Sequence, residues 1–220
     1  MHNIEIIPSI LVKTEQEFLT QSAAVSDCVN MIQLDIADGI FVPNTTWHPD
    51  PDTITDNLEI DCELHLMVSN PLEEARRFEF VDQIKRILIH YESTPNIEHV
   101  IGAIHSYGWE VGLVLKPETP ITVIDTYNEE IDAVMLMGVN PGLQGQSFIP
   151  ETLQKIITLH KTYPNLFISL DGAVNEQTII DIAKTHIHAV CPGSAIFGNN
   201  NSPKQNIQNM YTLIDQASKQ

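Results

Sequence analysis

A chain of 220 residues, 43% of them hydrophobic, is long enough to build one large domain around a substantial core, and α/β barrels often run this long as a single domain. Its 29 acidic residues against 11 basic ones give a net charge of −18, which excludes nucleic acid as a partner because phosphate backbones need clustered Lys and Arg. No run of about 18 apolar residues occurs, so no transmembrane helix and no membrane partner is expected. Three scattered cysteines, Cys28, Cys62 and Cys191, without CxxC spacing, exclude a disulfide framework or zinc ribbon and point to a reducing cytoplasm.

The opening MHNIEIIPSIL has no basic segment ahead of an apolar one, so it reads as a first strand and not as a signal peptide. From there, apolar β-branched runs alternate with segments of helical spacing. Strands are predicted at 4–8, 30–36, 61–67, 85–90, 110–115, 132–138, 165–170 and 187–191. Helices are predicted near 14–25, 51–58, 71–79, 96–107, 119–127, 150–162, 175–185 and 203–218. Thr119, Asn175 and Ser202 stand where helix N-caps belong, and Pro203 follows Ser202 at a first helical position. Eight strand–helix units predict a parallel sheet and, over 1–220, a single α/β domain of (β/α)8 TIM-barrel type. A doubly wound open sheet is the competing arrangement.

In a barrel the chemistry sits at the C-terminal strand ends. The second predicted strand, MIQLDIADG, carries Gln33, Asp35 and Ala37 on one face, by the alternation of strand side chains, and Asp38 on the other. The third, CELHLMV, puts His65 and Met67 on one face. The fourth ends in His90 and Glu92, the sixth in MLMGVNPGLQGQSF, the seventh in Asp171 before Gly172, and the eighth in Pro192, Gly193 and Ser194. Each has an ordinary structural reading alone: a strand-end Asp is often a turn former, a histidine on an apolar strand is often a core residue, and Met67 and Met137 suit packing. Together they describe a device. Two carboxylates at a barrel mouth can remove and return a proton on two faces of one carbon. A divalent metal held by carboxylate and imidazole would stabilise the enediolate formed between those steps. Glycine-rich turns after the last strands can cradle a phosphate, and with this net charge such a cradle must be made of backbone N–H groups.

These motifs resemble ribulose-phosphate 3-epimerases along nearly the whole chain. IIPSIL (6–11), LDIADGIFVPN (34–44), HLMVSNP (65–71), HYES (90–93), GLVLKPETP (112–120), VMLMGVNPGLQGQSFIP (134–150), LDGAVN (170–175) and GSAIF (193–197) match in order. The resemblance implies a (β/α)8 barrel that inverts C3 of a ketose phosphate, interconverting D-ribulose 5-phosphate and D-xylulose 5-phosphate. It implies Asp35 and Asp171 as acid/base pair, and Asp35, His65 and Asp171 as ligands of Zn, Mn, Fe or Mg. Ser9, Met67 and Met137 would line the site, and Gly142, Gly145, Gly172, Ala173, Gly193 and Ser194 would bind the phosphate. Family members are often dimers or hexamers, so the resemblance also allows a homo-oligomer.

The chain departs from the family at the reaction centre. Gln33 stands where the fourth ligand, a histidine, is expected, and an amide is the weaker ligand for zinc. The site should therefore hold metal weakly or prefer a harder ion such as Mg or Mn. Ala37 replaces a methionine, Ile40 a histidine, and Ala173 the second glycine of the family's DGG; TTWHPD at 45–50 replaces a glycine-bearing loop. Two alternatives follow: an epimerase of allulose 6-phosphate or a related ketose phosphate, and a phosphosugar-binding paralogue with impaired catalysis. The D-x-x-D spacing of Asp35 and Asp38 also occurs in barrel decarboxylases, but their intervening lysine is missing here.

Overall fold

The computed structural model describes residues 4–142 and 145–217. Among these residues nine strands run parallel: β1 (Glu5–Ile6), β2 (Ser9–Ile10), β3 (Met31–Ala37), β4 (Asp61–Met67), β5 (Ile84–His90), β6 (Glu110–Leu115), β7 (Ala133–Met137), β8 (Phe167–Asp171) and β9 (Ala189–Cys191). Their order is β1-β9-β8-β7-β6-β5-β4-β3-β2. The first two are halves of one strand, interrupted at Ile7–Pro8, since proline has no N–H to give to a ladder. Its N-terminal half pairs with β9 and its C-terminal half with β3. Ile7 N–H donates to Val190 O, and Gln33 N–H donates to Pro8 O. The sheet therefore closes on itself as a (β/α)8 barrel.

The helices are α1 (Glu15–Ala23), α2 (Pro51–Asn57), α3 (Pro71–Arg76), α4 (Ile97–Ser106), α5 (Glu151–Thr162), α6 (Ile179–Ala183), α7 (Ser194–Phe197) and α8 (Pro203–Ala217). Local chemistry starts several of them. Thr14 and Glu17 form a reciprocal capping box on α1. Asp50 caps α2 ahead of Pro51. Ser202 Oγ accepts from Gln205 N–H at the start of α8, as expected; residue 218, the predicted end of that helix, lies outside the described residues.

Three expectations are corrected. The predicted helix at 119–127 is a 3-10 segment, Ile121–Thr126. Its apolar residues are β-branched, and Pro120 opens it without a side-chain cap. Thr119 accordingly caps nothing; its hydroxyl donates to Glu92 instead. Helix 175–185 contracts to α6, because Asn175 and Thr178 spend their side chains on a turn at its entrance. The short α7 was not foreseen.

Two cores result. The larger lies between the sheet's outer face and the helices, filled by residues such as Leu34, Leu64, Ile87, Leu113 and Leu170. The smaller fills the barrel with Ile7, Leu88, Val114, Met135, Met137, Ala189 and Cys191. Polar groups also enter the barrel. Glu63 is fully buried, and Arg86 Nη1 reaches its Oε2 at 2.9 Å. Arg86 also pairs with Glu110 and lies 4.5 Å from the Phe167 ring centroid. Removing one partner of a buried pair leaves an unpaired charge, which costs about 3–5 kcal/mol. Arg86→Met should therefore lower stability by about that much in a denaturant titration. The double variant Arg86→Met with Glu63→Gln should recover part of the loss; additive effects would show that the two side chains are not coupled.

Candidate active site

The expected strand ends converge. A cavity of about 270 Å³ opens at the C-terminal end of the barrel, and its lining includes Ser9, Asp35, Met67, Met137, Gly142, Gly145, Asp171, Gly172, Ala173, Gly193 and Ser194. His65 and Gln33 lie fully buried beneath it. Alternation along β3 and β4 explains this: Gln33 and Asp35 point inward from one strand, and His65, the register partner of Asp35, points inward from the next. Asp38 falls outside, as expected. Its carboxylate holds a turn, accepting from the N–H groups of Ile40, Phe41 and Ser69.

The floor is a tight cluster. His65 Nδ1 lies 2.8 Å from Asp35 Oδ1 and 3.3 Å from Asp171 Oδ2. Ser9 Oγ donates to the other oxygen of Asp35 at 2.7 Å. Gln33 Nε2 donates to Asp35 Oδ1 at 2.9 Å and to Asp171 Oδ2 at 3.2 Å. Burial opposes the His65 imidazolium, but the hydrogen bonds and charges of Asp171 and Asp35 outweigh it and hold its pKa at about 10. Burial foremost, and the charge of Asp35, push the carboxyl of Asp171 upward against the hydrogen bond from His65. Behind His65 lies His90, which burial pushes down to about 4 and so keeps neutral.

Asp35, His65 and Asp171 form a buried group whose ligand atoms lie within 4.8 Å of one another, and it could hold a metal ion. The donor set suits a divalent cation: two carboxylates, one imidazole and, above all, an unsatisfied amide oxygen. Gln33 Oε1 is buried without a hydrogen-bond partner among the described residues, an expensive state that a cation would relieve. Any cation entering must displace the proton on His65.

The rim is backbone. Gly172 takes φ +99°, and a Cβ there would sit 2.6 Å from Val139 Cγ2. Gly142 takes φ +94°, and a Cβ would meet Val42 at 2.5 Å, so the loop after β7 presses directly on the loop after β3. Ala173 follows Gly172 in the same left-handed region, at φ +55°, and the chain carries that strain with a methyl group. None of the described lining residues is Lys or Arg. The altered 45–50 loop is firmly anchored: Trp47 stacks on Phe18 with ring centroids 5.0 Å apart, and its N–H donates to Val12 O.

The sequence reading missed Cys191 and Val139 in the lining and the Glu63–Arg86 pair below the floor. Alternation from His65 puts Glu63 on the same inward face, but its meeting with Arg86 depends on the register of β5 against β4.

The fold defines a class first. With TM-scores of 0.74 and 0.73, the chain superposes on KGPDC from Streptococcus mutans and on 3-hexulose-6-phosphate synthase from Salmonella typhimurium. Those matches cover 98% and 97% of this chain, and 99% and 100% of the other chains, at only 11% and 14% identity. They establish a TIM barrel. Sequence is more specific. The model of the ribulose-phosphate 3-epimerase family matches residues 5–197. Ribulose-phosphate 3-epimerase of Schizosaccharomyces pombe is 33% identical over 195 residues, 84% of this chain and 82% of that protein. The Bacillus subtilis enzyme of the same name is 30% identical over 211 residues, 91% and 95% of the two chains. The chain belongs to the ribulose-phosphate 3-epimerase family and is an epimerase of the isomerase class.

Proposed function

We propose that this enzyme interconverts D-ribulose 5-phosphate and D-xylulose 5-phosphate, with Asp35 and Asp171 exchanging the proton at C3. The observation that carries the mechanism is the pair of buried carboxylates joined to one imidazole on the cavity floor. The phosphate occupies the rim of Gly142, Gly145, Gly172, Ala173, Gly193 and Ser194, where backbone N–H groups serve in place of basic side chains. The sugar then reaches down past Met67 and Met137, which keep water off the reacting carbon. One aspartate takes the C3 proton, and the other returns one to the opposite face of the planar enediolate, inverting the centre. In the reverse direction the roles exchange. Burial, and the charge of Asp35 beside it, shift Asp171 upward, which suits the acid role. Ser9 and Gln33 hold Asp35 in place, each through a different carboxylate oxygen.

Asp35, His65 and Asp171 would hold the divalent ion, with Gln33 beside them. When bound, that ion supplies electrophilic stabilisation to the developing oxyanion. We place the enzyme in the cytoplasm, where its three free cysteines stay reduced; an Arabidopsis thaliana relative is chloroplastic, so the family is not confined there. No helix among the described residues is long and apolar enough to cross a membrane.

The test is proton NMR of ribulose 5-phosphate in D2O, after chelation and then with Zn, Mn, Fe or Mg added, with allulose 6-phosphate run in parallel. The expected result is loss of the C3 proton signal with growth of xylulose 5-phosphate, faster than on the hexulose phosphate. Faster exchange on allulose 6-phosphate would reassign the substrate. Tight binding of both ketose phosphates without exchange would leave a phosphosugar-binding protein.

A further inference from the structure

We infer that His90 and Glu92 form a relay that fixes the tautomer of His65, Glu92 holding its proton donor His90 in the one tautomer that leaves His65 Nδ1 free for a cation. The inference rests on the reading of His65 as a metal ligand. His90 and Glu92 are absent from the cavity lining, so both are positioning residues.

The geometry leads there step by step. His65 Nδ1 faces the two carboxylates, and its Nε2 lies 3.0 Å from His90 Nε2. Two ring nitrogens at that distance share one proton. A neutral His65 that offers its Nδ1 lone pair must carry that proton on Nε2. His90 Nε2 must then be bare, and the proton of His90 must sit on Nδ1. That atom faces Glu92 Oε2 at 3.6 Å, and both are buried with no other hydrogen-bond partner among the described residues. A shift of about half an ångström brings them into hydrogen-bond range. Glu92 cannot turn away, because its Oε1 accepts from Thr119 Oγ1 and from Lys116 N–H. Water is also kept out. The rings of His65 and His90 stack with centroids 5.1 Å apart, Phe41 covers His90 at 4.9 Å, and Lys116 Nζ lies 4.3 Å from the centroid of Phe41. Donors therefore run in one direction, from His65 Nε2–H to His90 Nε2 and from His90 Nδ1–H to Glu92.

Glu92→Gln keeps the shape and reverses the polarity. The amide oxygen would stay with Thr119 and Lys116 N–H, so the NH2 would face His90 Nδ1. His90 would move its proton to Nε2, donor against donor with His65 Nε2–H, so that His65 keeps its proton on Nδ1, where a cation must bind. Nitrogen-15 NMR of the full chain, labelled at histidine and assigned with His90→Gln, reads this directly. The parent should show a protonated Nδ1 and a bare Nε2 on His90, and Glu92→Gln should show the reverse. Zn2+ affinity by chelator competition should fall about 10–100-fold in Glu92→Gln. A parent His90 protonated on Nε2 overturns the relay. So does unchanged Zn2+ affinity in Glu92→Gln when Asp171→Asn lowers it. If Asp171→Asn leaves Zn2+ affinity unchanged while His90 shows the expected tautomer, the relay stands and the metal reading of the floor falls.

Discussion

Asp171→Asn should slow epimerisation by about 10²–10⁴-fold, the usual worth of a positioned acid or base, with little change in melting temperature. The asparagine fits the same space, and it removes a buried like charge from beside Asp35, offsetting the weakened hydrogen bond from His65. The more telling outcome is the pattern of isotope exchange. Two bases on two faces mean that each epimer loses its proton to a different aspartate. With metal kept saturating, Asp171→Asn should still let one ketose phosphate trade its C3 proton for deuterium without inverting, through Asp35. Asp35→Asn should do the same for the other epimer. Deuterium wash-in followed by proton NMR separates the cases. If either variant loses exchange equally for both epimers, a single base serves both directions and the two-face assignment is wrong.

Strand periodicity carries much of this site. Alternation along MIQLDIA and CELHLMV places Gln33, Asp35, His65 and Met67 on inward faces, and a barrel brings inward faces at strand ends together whatever their distance in sequence. What stays hidden depends on register between strands. Glu63 meets Arg86 only because β4 and β5 shift register between Cys62 and Glu63, and nothing local to either segment reports that. His90 and Glu92 are visible as polar strand-end residues, yet their role follows from His65 turning its far nitrogen toward β5, a choice of rotamer and not of sequence. The first strand shows the opposite failure. IIPSIL reads as continuous, but Pro8 splits it into two short strands, the first paired with β9 and the second with β3. The segment at 119–127 misleads because its apolar spacing is helical, while β-branched residues after a proline close only a 3-10 turn.

Gln33→His should raise metal affinity at least about tenfold for Zn and less for Mg, since imidazole outcompetes an amide for the softer ion. The cage is already close to the required shape. Of the six separations among Gln33 Nε2, Asp35 Oδ1, His65 Nδ1 and Asp171 Oδ2, the five apart from that between the two carboxylates are 2.8, 2.9, 3.2, 3.3 and 3.4 Å. Four donors about 2.0–2.1 Å from a tetrahedral ion lie roughly 3.3–3.4 Å apart. The amide therefore occupies the fourth corner, with its NH2 turned inward to bridge the carboxylates and its oxygen stranded. Half a turn about its last side-chain bond exchanges the two atoms, so one residue can clip the carboxylates without metal and offer an oxygen with it. Histidine cannot take the first part while neutral and bare toward the cage, so the metal-free Gln33→His protein should also be less stable than the parent. Calorimetry with Zn and Mg on parent and variant reads both effects. Equal affinities in parent and variant would remove Gln33 from the cage and leave Asp35, His65 and Asp171 as a three-donor site.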